Sequence, residues 1–320
     1  MNNFAPTITL KLAQQKATML ARIRRFFADR QVLEVTTPTL SHAGNTDVYI
    51  ESVQANFHQA GKPIAGYLHT SPEFAMKRLL ATWQVPIYQI CPVFRDNEKG
   101  TRHNIEFTML EWYRPNFTLN ELADELADLL SLVFDRPITL TTLSYAQAFE
   151  QTLGIHPLTA DIGTLSQTAR THGITLDMGA DRQGWLDLLF SHLIEPDLGK
   201  DKPTLINDYP PATAALAKTE LDSDGHLVAK RFELYIDGIE IANAYDELAD
   251  SQKLRERFDQ DNAERSRLGL PIMPIDERLL QACDQLPACS GIALGVDRLF
   301  MVSQNLTDIT HAIAITTDRA

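Results

Sequence analysis

Apolar residues recur at helical spacing from Leu10 to about Arg30, where Leu12, Met19, Leu20, Ile23, Phe26 and Phe27 cluster, so an amphipathic helix is expected first. The segment VLEVTTPTL follows as a strand ending at Pro38. A short apolar helix over EFAMKRLLATW enters at Ser71-Pro72, a favourable helix start. IYQICPVFRD and IEFTMLEWYR read as two strands of a hairpin joined by the polar loop NEKGTRHN. LNELADELADLLSLVF has the stripe of a strong amphipathic helix. From about residue 141 to 211 the pattern is mixed and mostly helical. RFELYIDGIEIANAY then reads as a second hairpin turning at Asp237-Gly238, a favoured two-residue turn. A charged helix is expected from Asp246 to about Leu268, and CSGIALGVDRLFMVSQ as a glycine-punctuated strand entering an apolar helix. Helices flanking antiparallel hairpins, without regular β-α alternation, point to an α+β fold rather than a doubly wound one. With no Pro/Gly/Ser-rich linker, the reading is a single domain over residues 1–320 carrying a mostly helical insertion around 141–211.

Composition narrows the function classes. The 320 residues are 44% hydrophobic, ample for a large core, and carry a net charge of −13. Such a chain has no long-range attraction for nucleic acid. Cys91, Cys283 and Cys289 form neither metal-ligand spacing nor an even disulfide set, and read as reduced thiols. There is no apolar signal core at the N-terminus and no run near the roughly 18 residues of a membrane span, so a soluble, cytoplasmic protein is expected.

The two hairpins hold the candidate chemistry. Alternation in IEFTMLEWYR puts Phe107, Met109, Glu111 and Tyr113 on one face and Thr108, Leu110 and Trp112 on the other. An aromatic at one end of a face can stack on a base, and a carboxylate beside a phenol can hold a cation; an edge strand with a solvated Glu111 is the plainer alternative. Around the loop, Arg95, Arg102, His103 and Asn104 could grip phosphate oxygens. In the second hairpin a simple register sets Tyr235 opposite Glu240 and Glu233 opposite Ala242, so the two glutamates share a face while Asn243 falls on the other. Two carboxylates there either sit between them a cation such as magnesium or simply face solvent.

Phe94-Arg95, a loop, then Arg102-His103-Asn104-x-Glu106-Phe107-Thr108-Met109-x-Glu111 resembles motif 2 of the class II aminoacyl-tRNA synthetases, in the lysine-type subclass. FELYIDGIEIANAYDEL resembles the subclass segment carrying two metal-binding glutamates, an asparagine and a third glutamate. GIALGVDRLFM, with Gly291, Gly295 and Arg298, resembles motif 3, and the opening helix with VLEVTTPTL resembles the weaker motif 1, which builds the family's dimer interface. The resemblance spans nearly the whole chain and implies a class II synthetase catalytic domain, an antiparallel sheet flanked by helices, using ATP and Mg2+.

By that resemblance, Arg95 bridges the α-phosphate and the amino-acid carboxylate, Arg102 or His103 meets the outer phosphates, Phe107 stacks on adenine and Arg298 holds the γ-phosphate. Asn97, Asn104, Ile241 and Gly295 complete the nucleotide site. Glu233 and Glu240 match the metal pair, Glu240 also meeting the nucleotide. Ser71, Pro72 and Glu73 match residues near the substrate's amino group, while Glu111, Tyr113, Asn243 and Glu247 match the pocket of the lysine side chain. Four positions depart from the pattern. Asn97 stands where a glutamate helps hold adenine, Ile105 replaces a common proline, and Ala244 and Ala293 replace glycines. A methyl at the Ala293 position narrows the pocket wall and fits a non-standard lysine isomer.

Motif 1 begins almost at the N-terminus, so the anticodon-binding OB barrel of a full lysyl-tRNA synthetase is expected to be missing, and no tRNA acceptor is expected. That layout resembles the paralogous elongation factor P lysine ligases, which activate (R)-β-lysine and join it to a lysine ε-amine of elongation factor P; the resemblance implies that partner and a homodimer. Two alternatives remain: a tRNA-independent ligase of the asparagine-synthetase type, which needs basic groups for its substrate's side chain, and a non-catalytic synthetase-like regulatory subunit.

Overall fold

The computed structural model describes residues 4–320. Its elements in order are α1 (Leu10–Asp29), β1 (Leu33–Glu34), β2 (Leu40–Ser41), β3 (Gln54–Gln59), β4 (Lys62–Leu68), α2 (Glu73–Trp83), β5 (Ile87–Phe94), β6 (Glu106–Pro115) and α3 (Leu119–Phe134). There follow β7 (Thr141–Ser144), α4 (Tyr145–Leu153), α5 (Ile162–Thr171), α6 (Arg182–Leu189), β8 (Thr204–Tyr209), β9 (Thr219–Leu221), β10 (Leu227–Ile236) and β11 (Ile239–Asp246). The chain closes with α7 (Ser251–Arg267), α8 (Glu277–Cys283), β12 (Cys289–Gly295) and α9 (Val296–Ser303). It groups into two compact units, one of the residues up to Arg136 together with Glu247–Ala320, the other of Pro137–Asp246.

In the first unit β5 and β12 flank β6, both antiparallel to it, and β1 runs parallel to β5. Glu111 pairs with Gln89 on one side and Ala293 on the other, so β6 is an interior strand rather than a wet edge. Its back face is anchored by aromatic packing. Phe27 of α1 stacks on Tyr88 at 4.5 Å and meets Trp112 at 5.4 Å, and the Trp112 indole donates to Glu125 of α3 at 3.0 Å. A fully buried tryptophan of this kind is worth about 3–5 kcal/mol against truncation, which holds β6 rigid beneath whatever occupies its front face. The α3 start is a capping box, Thr118 and Glu121 each satisfying the other's backbone N–H.

The second unit holds β7, β8, β10 and β11 as neighbours in that order, β7–β8 parallel and the rest antiparallel, with β9 on the far stretch of β10. Tyr145, Phe149, Trp185 and Phe190 join Tyr209 and Tyr235 in its core. The mixed 141–211 stretch is thus helical in α4 to α6, but it also supplies two strands. Those strands pair with residues far along the chain, which local periodicity does not register.

Most elements fall where the pattern puts them. The VLEVTTPTL strand is corrected to two residues, Leu33–Glu34, because only that stretch pairs with β5. The β3–β4 hairpin, turning at Ala60-Gly61 with positive φ at both, had no place in the sequence reading. The charged helix starts at Ser251, capped by Asp250, rather than at Asp246, which remains in β11. No helix among the described residues is long and apolar enough to cross a membrane.

Candidate active site

The front face of β6 carries Phe107, Met109, Glu111 and Tyr113, as alternation required, and its neighbours add Gln89, Cys91 and Val93 from β5 and Gly291, Ala293 and Gly295 from β12. At ~3.3 Å per residue, Phe107 and Glu111 stand ~13 Å apart along the strand. The two ends of this face have opposite electrostatic character.

At the Phe107 end the charge is positive. Arg95 lies over the Phe107 ring, 5.3 Å from its centroid. The Arg298 guanidinium bonds His103 through Nη2, and its Nε donates to the Arg102 carbonyl at 3.3 Å. Burial, then the charges of Arg298, Arg95 and Arg102, hold the His103 imidazole below its ordinary pKa, so it stays neutral. Arg95 Nε is buried without a hydrogen-bond partner. Three guanidiniums around one neutral histidine, in a protein of net charge −13, form a site for an anion. The loop is closed by paired Gly100 and His103 backbones, and α9 is pinned by Asp297, which accepts from the Thr108 N–H and Lys16. Asn104 is committed elsewhere: its amide bonds the Glu106 carbonyl at 2.6 Å and Thr317 at 2.8 Å, fixing the loop's exit. Asn97, in left-handed conformation (φ 58), donates to Glu51 at 2.5 Å. A carboxylate from outside the motif thus stands next to the asparagine that takes the family glutamate's place.

At the Glu111 end the charge is negative. Glu111 is 2% exposed and accepts hydrogen bonds from Ser71 Oγ at 2.7 Å and Tyr113 OH at 2.6 Å. Burial, and then repulsion from Glu73, push its pKa up to about 8 despite those bonds. Burial and the same carboxylates raise Tyr113 well above a normal phenol, so it remains a donor. Ser71 Oγ in turn accepts the Glu73 N–H at the start of α2, where Pro72 is the helix N-cap. Glu247 lies over β12: a Cβ built on Gly291 would sit 2.3 Å from its Oε1 and 2.5 Å from the Tyr113 ring. Gly291 is therefore required by space, whereas a Cβ on Gly295 meets only Arg298 carbons at 3.8 Å. Ala293 lies directly opposite Glu111, and its methyl joins Cys91, Val93, Met109 and Phe107 on the floor.

Two participants here escaped the sequence reading. Lys77 of α2 is buried with its Nζ 2.7 Å from Glu73 and 2.6 Å from Glu247, so carboxylates assigned to a substrate amine already hold an ammonium. Its only signal was a Glu-to-Lys i,i+4 spacing, which normally marks a solvent-exposed pair. Gln89, opposite Glu111, is buried with Oε1 accepting no hydrogen bond.

The second unit contains the glutamate hairpin. Asp237 and Gly238 turn it with φ of 51° and 65°. The simple register is corrected by a bulge between Leu234 and Tyr235: Glu233 pairs with Asn243, Leu234 with Ala242, and Tyr235 with Glu240, leaving Ile241 as the extra residue. Glu233, Tyr235, Glu240 and Asn243 therefore share the polar face, while buried Ile241, Ala242 and Ala244 line the other. Glu233 accepts from Tyr209 OH at 2.6 Å and from Tyr235 OH, and pairs with buried Arg231. Among the described residues no group of three or more His, Cys, Asp or Glu could hold a metal by itself. Glu233 already meets Arg231 through Oε1 and two tyrosine hydroxyls through Oε2, so with Glu240 on the same face it offers at most the one or two carboxylates that magnesium takes, the rest of its shell being water or phosphate.

The sequence comparisons agree with this arrangement. The family described as "tRNA synthetases class II (D, K and N)" matches residues 7–319. Among curated proteins, an elongation factor P--(R)-beta-lysine ligase of Erwinia tasmaniensis is 46% identical over 322 residues, 99% of this chain and 98% of its own length. Ligases of the same name from Salmonella paratyphi B and Salmonella heidelberg are each 45% identical, with 98% of both chains covered. An interior antiparallel strand with arginines at one end and carboxylates at the other, matched over essentially its whole length by one family, shows that the chain belongs to the class II tRNA synthetases of the D, K and N group.

Proposed function

We propose that this protein is an ATP-dependent, AMP-forming ligase that activates a lysine-type amino acid, (R)-β-lysine, as its adenylate and transfers it to a lysine ε-amino group of elongation factor P. The observation that carries the proposal is the pairing, on one rigid strand face, of an arginine-ringed anion site with a buried carboxylate site ~13 Å away. A diamino acid adenylate has that polarity, with phosphate at one end and ammonium at the other. An aspartate-type substrate would set its side-chain carboxylate against Glu111 and Glu247, which is strongly repulsive in a buried site.

In the first half-reaction the substrate carboxylate attacks the α-phosphorus of ATP and pyrophosphate leaves. Arg95 takes the α-phosphate and the carboxylate, Phe107 supports adenine, and Arg298 with neutral His103 and Arg102 takes the outer phosphates; their positive charge stabilises the departing group. Magnesium would be held by Glu233 and Glu240 and would supply positive charge there when bound. Glu111, with Tyr113 and Ser71 fixing its orientation, holds the side-chain ammonium, and Glu73 and Glu247 complete the pocket. In the second half-reaction the acceptor amine attacks the adenylate carbonyl, an amide bond forms, a proton is released and AMP departs. The acceptor and the amino acid are the ones named for the 45–46% identical relatives, whose full length this chain covers almost completely.

The decisive measurement is ATP–pyrophosphate exchange with lysine, (R)-β-lysine and aspartate, followed by intact-mass analysis of elongation factor P after incubation with ATP and β-lysine. Exchange driven by β-lysine and one added β-lysyl group are expected. Exchange with aspartate alone would identify an asparagine-synthetase type; none with any amino acid would identify a regulatory subunit; active exchange with an unchanged mass would remove elongation factor P as acceptor.

A further inference from the structure

Three carboxylates, Glu73, Glu111 and Glu247, converge on the front face of β6, two of them almost fully enclosed. Unbalanced, three such charges repel one another, and burying each without a partner is costly. The contacts close into a ring. Glu111 is held by Ser71 and Tyr113, Ser71 accepts the Glu73 N–H, Glu73 and Glu247 both bind Lys77, and Glu247 returns to the Tyr113 ring above Gly291. Lys77 is the member with no counterpart among the substrate-facing groups read from the sequence. Its side chain is 2% exposed, and its two partners, Glu247 and Glu73, are 1% and 17% exposed.

We infer that Lys77 is the resident counter-ion and positioning residue of this pocket: once Glu111 ionises against an incoming ammonium, three carboxylates less one fixed ammonium leave two negative charges, one for each amine of a diamino monocarboxylic acid. Lys77 also sets geometry, because one Nζ holding Oε1 of Glu73 and Oε2 of Glu247 leaves the second oxygen of each directed by that grip. Burial opposes its charge, but Glu247 and Glu73 outweigh burial and keep it protonated. The pocket is thereby matched to a substrate with two positive groups, and a monoamine leaves Glu111 without the second ammonium that its ionised form would hold. This inference rests on the amine-pocket reading above, and its test separates the two, because wild-type exchange with a diamino acid examines that reading before any variant is made.

The test compares wild type, Lys77→Arg, Lys77→Met and the double variant Lys77→Met/Glu73→Gln, in which one carboxylate charge is removed together with the ammonium. Lys77→Met should raise KM for the diamino acid by about tenfold or more, with KM for ATP unchanged within about twofold, and Lys77→Arg should stay within about threefold of wild type for both. In thermal unfolding the double variant should regain at least about half of the Tm lost by Lys77→Met, since the uncompensated charge is what destabilises it. Equal impairment by Arg and Met, a KM for ATP rising in step with that for the amino acid, or a double variant no more stable than Lys77→Met would overturn the counter-ion role and leave Lys77 a packing residue. If Lys77→Met does not fold, recovery of a folded double variant supports the inference and its failure to fold refutes it.

Discussion

Glu111 shows how one side chain couples function to stability. Its carboxyl is neutral in the free pocket below about 8, and only the ionised form attracts an ammonium. KM for the amino acid is therefore expected to fall as pH rises toward 8, by at most about tenfold per unit, and then to level off, as read from exchange kinetics across pH. The stability effect has the opposite sign. The folded pKa lies above that of the unfolded chain, so the folded state binds the extra proton and stability declines as pH climbs from the ordinary carboxylate range to about 8. Glu111→Gln should thus abolish diamino-acid exchange while raising Tm more at pH 8 than at about pH 5; a pH-independent Tm change would show that the carboxyl is not held neutral. At the other end, Arg298→Ala should lower kcat/KM for ATP by about 100-fold or more with the fold intact, because it removes a preorganised charge and leaves His103 and the Arg102 carbonyl without their partner.

At the scale of elements, β12 carries two glycines of one motif with different physical demands. Gly291→Ala forces a methyl against Glu247 and the Tyr113 ring, an overpacking worth about 1–3 kcal/mol and a displaced carboxylate. Gly295→Ala enters ordinary contact, so its Tm should change by less than about 1 kcal/mol equivalent. Thermal unfolding and exchange rates of the two variants test this directly, and equal effects would refute the spatial argument. Ala293→Gly removes the methyl opposite Glu111 and should move preference from (R)-β-lysine toward α-lysine, measured as the ratio of kcat/KM values, by about tenfold for one methyl group. The β10–β11 bulge has the same character. One extra residue, Ile241, brings Asn243 round to the face of Glu233 and Glu240, where a regular ladder would have buried it on the other side.

At the scale of the whole molecule, an acidic chain of net charge −13 concentrates guanidiniums around His103. KM for ATP should therefore rise with ionic strength, while tRNA should show no retention in a gel-shift assay at physiological salt; stable tRNA binding there would contradict a tRNA-independent ligase.

What the sequence determined by itself is local or periodic. Strand alternation set Phe107, Glu111 and Tyr113 on one face, helical spacing outlined α1 and α3, Asp237-Gly238 fixed a turn, and the motif residues marked Arg95, His103 and Arg298. Tertiary structure decided what depends on partners distant in the chain. It made β6 an interior strand and so turned a solvated glutamate into a buried one, shortened the motif 1 strand, formed β7 and β8 within a helical stretch, and moved Asn243 by a bulge. It also buried Lys77. Glu73 and Lys77 are one helical turn apart and read as a surface pair, and only the arrival of Glu247, some 170 positions along the chain, makes them the centre of a charge-balanced pocket. Burial and long-range charge pairing are properties of the assembled chain, because desolvation is set by everything that surrounds a group rather than by its sequence neighbours.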